Sequence, residues 1–157
     1  QDEQDQIERA HHRRIREAGL PYIRELAERI RQGVRLPPEE VAWLSVLLCD
    51  LRLRDEMWVR IKAPELQQHL EFWSDVLRRV PLDYAAAPAT LLAYAAYQDG
   101  NFGLASIALD RAQEAEPDYN LALLLRYLIQ QGVSPHEGRL QLTPEELAIS
   151  AGEDPSA

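Results

Sequence analysis

The sequence predicts an all-α fold: helical hairpins stacked as a short right-handed array and capped by N-terminal helices. Three observations carry this expectation. Apolar residues recur at helical spacing along nearly the whole chain. No stretch alternates apolar and polar residues for long enough to make a strand, and no turn signal separates two β-branched runs. Pro and Gly fall between the periodic runs, where they close one helix and open the next. With 157 residues, 46% of them hydrophobic, the chain can bury one ordinary core.

The elements follow in order. A first helix is expected from about Asp2 to Ala18, with Ile7, Ala10, His11 and Ile15 near one face and Asp2, Glu3 and Asp5 in the first turn, where the helix dipole favours acids. Gly19 and Pro21 interrupt the pattern. A second run, Pro21 to Gln32, carries Ile23, Leu26 and Ile30 on one stripe and stops at Gly33. The two could be one long kinked helix. Pro37-Pro38-Glu39-Glu40 opens a third, whose Val41, Trp43, Leu44, Val46, Leu47, Leu48 and Leu51 make it apolar on most sides and a candidate for the centre of the core. A short helix is expected from Asp55 to Ile61, and another after Pro64 with Leu66, Leu70, Trp73, Val76, Leu77 and Val80. After the corner PLDYAAAP, helices are expected at about Ala86–Gln98, Phe102–Ala115 and Tyr119–Gln131. A last one begins at Thr143 as N-cap, with Pro144 at the first helical position and Glu146 placed for a capping box. Most of Trp43, Trp58, Trp73, Tyr84, Tyr94, Tyr97 and Tyr127 belong in the core on this reading. The domain division is then 1–142 as one helical domain and 143–157 as a short helix with a frayed tail.

Composition excludes several function classes. No run approaches the ~20 apolar residues that span a bilayer, and the polar start QDEQDQIERAHHRR lacks the apolar segment of a signal peptide. No membrane association is expected. The single cysteine, Cys49, lies in the apolar run VAWLSVLLC and reads as a small buried hydrophobe; a reducing cytoplasm fits it best. The chain begins with Gln, which reads as a piece of something longer. Charge is uneven: residues 1–80 hold 14 basic and 15 acidic residues, a net of −1, and residues 81–157 hold 3 and 11, a net of −8. The acidic half would repel a phosphate backbone, so nucleic acid is a disfavoured partner.

Candidate chemistry is sparse. The neighbours His11 and His12 point about 100° apart on a helix and cannot share a metal well. His69 and His136 stand alone, without metal-ligand spacing, so neither a metal nor a cofactor is expected. Glu39-Glu40, Asp55-Glu56 and Glu145-Glu146 read as acids at helix starts, not as acid–base pairs. Arg9, Arg13, Arg14, Arg16 and Arg24 interleave with Glu8, Glu17, Glu25 and Glu28 at helical spacing, the pattern of ion pairs on a solvated face. Arg52, Arg54 and Asp55 form a sharper candidate. Arg52 and Arg54 leave an apolar helix where Asp55 starts the next, so an Arg–Asp pair would lock the corner; the functional alternative is an anion site. No nucleotide or hydrolase motif occurs, and no catalytic residue is assigned.

LLAYAAYQDGNFGLASIALDRAQEAEPDY, Leu91 to Tyr119, holds the most specific spacing. Ala95, Ala105 and Ala112 let two antiparallel helices approach closely, Gly100-Asn101 forms the turn, Phe102 fills the gap beside the alanines, and Pro117 closes the unit. With Gly100 in register, Pro88 to Leu121 resembles a tetratricopeptide repeat, within a repeat-like part spanning 88–132. Ala93 stands where the family has Gly, and the first-helix tryptophan is missing. A faint second copy pairs Asp83-Tyr84 with Asp118-Tyr119. The resemblance implies a concave face formed by Ala89, Leu92, Ala96 and Asp99. That face is apolar with one acid, which suits an apolar or basic helix better than a carboxylate terminus.

Three further stretches, Asp50–Trp58, His69–Tyr119 and Leu123–Pro135, resemble in order the C-terminal half of a bacterial domain-of-unknown-function family, number four-one-nine-two. This implies an intracellular protein of high-GC Gram-positive bacteria, and it implies no activity. It also implies a separate α/β-looking half upstream. The expectation is therefore a noncatalytic helical module for protein–protein or inter-domain contact, with a protein as partner and its own N-terminal half as first candidate. The alternative is an accessory or regulatory domain of an enzyme whose active site lies in that upstream half.

Overall fold

The computed structural model describes residues 1–139 and 143–154. Among them the fold is all-helical, with eight α-helices, one 3-10 turn and no strand. The helices are α1 (Asp2–Arg31), α2 (Pro38–Leu47), α3 (Leu51–Trp58), α4 (Leu66–Arg79), α5 (Ala86–Gln98), α6 (Phe102–Ala115), α7 (Asn120–Gln130) and α8 (Pro144–Ser150), with the 3-10 turn Leu82–Tyr84 between α4 and α5.

α1 is one helix of 30 residues that runs straight through Pro21. Packing on both sides of the proline explains this. Gly19, Ile23, Leu26 and Ile30 form one buried stripe across it. A Cβ at Gly19 would stand 2.6 Å from Leu53 Cδ1, so the glycine serves close approach to α3 and does not end the helix. The first four turns differ from expectation. Ile7 is 64% exposed, and Ala10 and His11 are also open to solvent.

α3 starts four residues earlier than the sequence suggests. The Asp50 carboxylate caps it by accepting from the backbone N–H of Arg52 and Leu53 at 2.9 and 3.2 Å. Asp55 and Glu56 therefore sit inside the helix, and Ile61 lies beyond its end. α5 and α6 have the predicted boundaries. Gly100 makes their turn at φ +78°, and Asn101 Oδ1 caps α6 from the Leu104 N–H at 3.1 Å. Thr143 Oγ1 caps α8 from the Glu146 N–H at 3.1 Å. Part of the predicted frayed tail, residues 155–157, lies outside the described residues, as does the boundary at 140–142.

The centre of the core is α5, not α2. Every residue from Ala86 to Tyr97 is buried, between α4 and α6 with α7 also packed against it. Ala95, Ala105, Ala108 and Ala112 are at most 1% exposed, so small side chains do line the α5–α6 contact. Phe102 does not fill it: the ring is 46% exposed and touches Tyr97 only at 6.1 Å between centroids. α2 buries Val41, Leu44 and Leu47 and turns Trp43 and Val46 outward. Its shortness leaves one side without a neighbour, whereas the alanines of α5 admit helices on every side.

Candidate functional site: an arginine corner and two open apolar faces

The Arg52/Arg54/Asp55 corner is built from α3, and its Arg–Asp pair is Arg54 with Asp55. Arg54 turns Nε and Nη2 to Asp55 Oδ1 at 3.0 and 2.7 Å, and Nη1 to the Tyr119 hydroxyl at 3.2 Å. Its guanidinium also lies over the Tyr119 ring, 5.5 Å from the centroid, which ties α3 to the start of α7. Arg52 makes no bond to Asp55. It forks onto Glu153 beyond α8, with Nε–Oε2 at 2.8 Å and Nη2–Oε1 at 2.7 Å, and Nη2 also reaches Glu56 Oε1 at 3.0 Å.

Glu56 is the hub. It is fully buried and holds Arg52, Arg60 at 2.7 Å and Arg24 at 3.6 Å. Burial pushes its carboxyl up; the hydrogen bond and charge of Arg60, with Arg52 and Arg24 behind them, outweigh this and hold it below the usual range. The arginines of α1 thus find long-range partners. Arg24 reaches Glu56 and Glu153, Arg16 reaches Asp50 at 2.9 Å, and Arg29 forks onto Glu40 at 2.9 and 3.3 Å. Of the interleaved glutamates, Glu28 pairs within the helix, with Arg31. The physical reason for the missed pairing is distance in sequence: helical spacing exposes partners three or four residues away, and these partners are 11 residues away or more. These ion pairs form a network that joins α1, α3 and the segment after α8.

The face Ala89, Leu92, Ala96 and Asp99 is not open. The first three are 0–3% exposed, because α5 is covered all round; Asp99 alone reaches solvent, at the C-cap. The exposed apolar surface lies elsewhere. Ala42, Val46, Val80 and Tyr84 line a groove between α2 and the 3-10 turn, and Ser45, Cys49, Leu51 and Tyr84 line the adjoining one. Trp43, Val46 and Leu51 are about half exposed, as is Tyr84. Cys49 is exposed, contrary to its apolar sequence context, since it lies in the turn between α2 and α3. Ile107 on α6 and Leu123, Leu124 and Tyr127 on α7 are also exposed. The apolar periodicity of α2 was visible in the sequence; which side stays uncovered was not.

His69 is buried, with Nδ1 accepting from Trp73 Nε1–H at 3.3 Å. Among the described residues no three His, Cys, Asp or Glu side chains gather to hold a metal ion, and no helix is long and apolar enough to cross a membrane.

The model of one family, Domain of unknown function (DUF4192), matches residues 1–136. The chain belongs to this family. No curated protein and no solved structure matches it significantly. The matched span of the DUF4192 chain takes in the whole α1–α7 body and the arginines of the corner, and stops before α8 and Glu153.

Proposed function

We propose that this chain is a noncatalytic helical interaction module that docks a protein surface, and that the first partner is the upstream α/β-looking half implied by the family resemblance. One observation carries the reading. α2, the 3-10 turn and the start of α3 leave Trp43, Val46, Tyr84 and Leu51 about half exposed, and Val46 and Tyr84 line an apolar groove with Ala42 and Val80. Contiguous exposed apolar surface of this kind marks contact sites. The open first turns of α1, with Ile7 uncovered, support the same reading, since an isolated helix of that length is marginal in water. The acidic balance of the chain favours a basic or apolar partner over nucleic acid, and an unpaired, solvent-facing Cys49 suits the cytoplasm.

We also read α5–α6 as one degenerate tetratricopeptide-like unit, with α4 as the second helix of a partial unit before it and α7 as the first helix of one after it. α4 and α6 are both 14 residues long, beginning at Leu66 and Phe102, and α5 and α7 begin at Ala86 and Asn120, so both offsets fall in the mid-thirties.

The test is co-elution of this chain with the separately expressed upstream half at micromolar concentration. Val46→Glu should abolish the complex without changing the melting temperature, because Val46 is exposed. No complex, or an unaffected one, would remove this docking surface.

A further inference from the structure

A cavity of about 650 Å³ opens on the side of the molecule between the end of α3, the connection to α4, α5 and the segment after α7. Its size is that of small-molecule sites. Trp58 and Tyr94 meet edge to face in its wall, 5.5 Å between centroids, and Leu66 extends the apolar surface. Lys62, His136 and Arg139 stand in the same lining, which contains no Asp or Glu. In a chain with 26 acidic and 17 basic residues, a lining that holds Lys62 and Arg139 and no acid is a local reversal of charge. None of the three forms an ion pair with a described residue.

The wall is held in place from behind. The Tyr97 hydroxyl donates to the carbonyls of Val133 and Ser134 at 2.7 and 2.9 Å, and Gln98 Nε2 donates to the Pro135 carbonyl at 3.3 Å. Gly138 closes directly on the Tyr97 ring. His136 and Arg139 are therefore carried by backbone tied to the most buried helix, so the cavity is preformed. One polar group remains unused. The Trp58 indole N–H is fully buried and has no acceptor among the described residues.

We infer that this cavity is a binding site for a small anionic molecule with a flat apolar body, carrying a carboxylate or a phosphate monoester. The anionic group sits among Lys62, His136 and Arg139, and the apolar body lies against Trp58 and Tyr94. This goes beyond protein docking and uses none of the α2 surface.

The experiment titrates the protein with 1-naphthoate, 1-naphthyl phosphate and the neutral 1-naphthalenemethanol, following the indole N–H resonance of Trp58 by NMR. Trp58→Phe assigns that resonance. The expected result is a saturable shift of this one resonance with an anion, at a Kd of about 10–500 µM. The alcohol should bind at least about tenfold more weakly, and so should the anion to Lys62→Gln/Arg139→Gln, whose exposed positions leave the melting temperature unchanged. His136→Gln is the second variant should the double one fold poorly. Tighter binding of the phosphate or of the carboxylate identifies which anion the site takes. The inference is overturned if neither anion saturates, if the alcohol binds as well, or if the variants bind unchanged.

Discussion

Arg52 and Glu153 are 101 residues apart in sequence and form a two-bond fork, 2.8 and 2.7 Å long. Arg52 is 8% exposed, so this fork fastens the segment after α8 to the centre of the α1–α3 corner. Glu153→Ala should lower stability by about 1–3 kcal/mol, because it strips a buried guanidinium of one of its two carboxylates. Denaturant unfolding of Glu153→Ala, Arg52→Ala and the double variant measures the coupling between them; strictly additive losses would mean the pair is not formed.

Glu56 should be more sensitive. Three arginines converge on this fully buried carboxylate. Glu56→Gln takes the carboxylate from Arg60 and leaves Arg52 and Arg24 with Glu153 alone, and should cost about 3–5 kcal/mol, measured by the same unfolding experiment. High salt should rescue little, since buried pairs are poorly screened.

His69 makes stability depend on pH. Burial lowers its pKa from 6.5 to about 4, against a smaller opposing hydrogen bond with the Arg60 backbone. An unfolded chain takes up this proton near pH 6.5 and the folded one near pH 4. Unfolding between those values is accompanied by proton uptake, so stability falls as pH drops through the window, by up to about 3 kcal/mol from this group. Protonation would also break the Trp73 Nε1–H to Nδ1 bond. Stability measured against pH for His69→Gln should lose this part of the slope.

Ala105→Leu should force α5 and α6 apart and destabilise by about 1–3 kcal/mol, because Ala105 is fully buried in their contact. An unchanged melting temperature would contradict close packing of this hairpin.

Gly138→Ala should have a comparable effect from the other side of α5. The added Cβ would overlap the Tyr97 hydroxyl and ring, which are fixed by the Val133 and Ser134 carbonyls. A melting temperature lowered by several degrees is expected, corresponding to about 1–3 kcal/mol.

Much of this protein is written in local sequence. Helical periodicity, the alanines of α5 and α6, the Gly100 turn and the Thr143 cap act over a few residues, and each is found where the sequence places it. The continuity of α1 through Pro21, the early start of α3 on Asp50 and the centrality of α5 needed the fold, because each is decided by which other helix lies alongside. The same holds for the candidate sites. An apolar helix announces that it will be buried, but not on which side; α2 and α5 differ only in how many neighbours reach them. Arg52 finds its carboxylate near the far end of the chain, and Lys62 meets His136 and Arg139 around a cavity that no spacing reveals. Local sequence determined the helices through short-range backbone and side-chain energetics. Tertiary packing alone decided which surfaces were covered, which charges were paired and which were left facing an empty space.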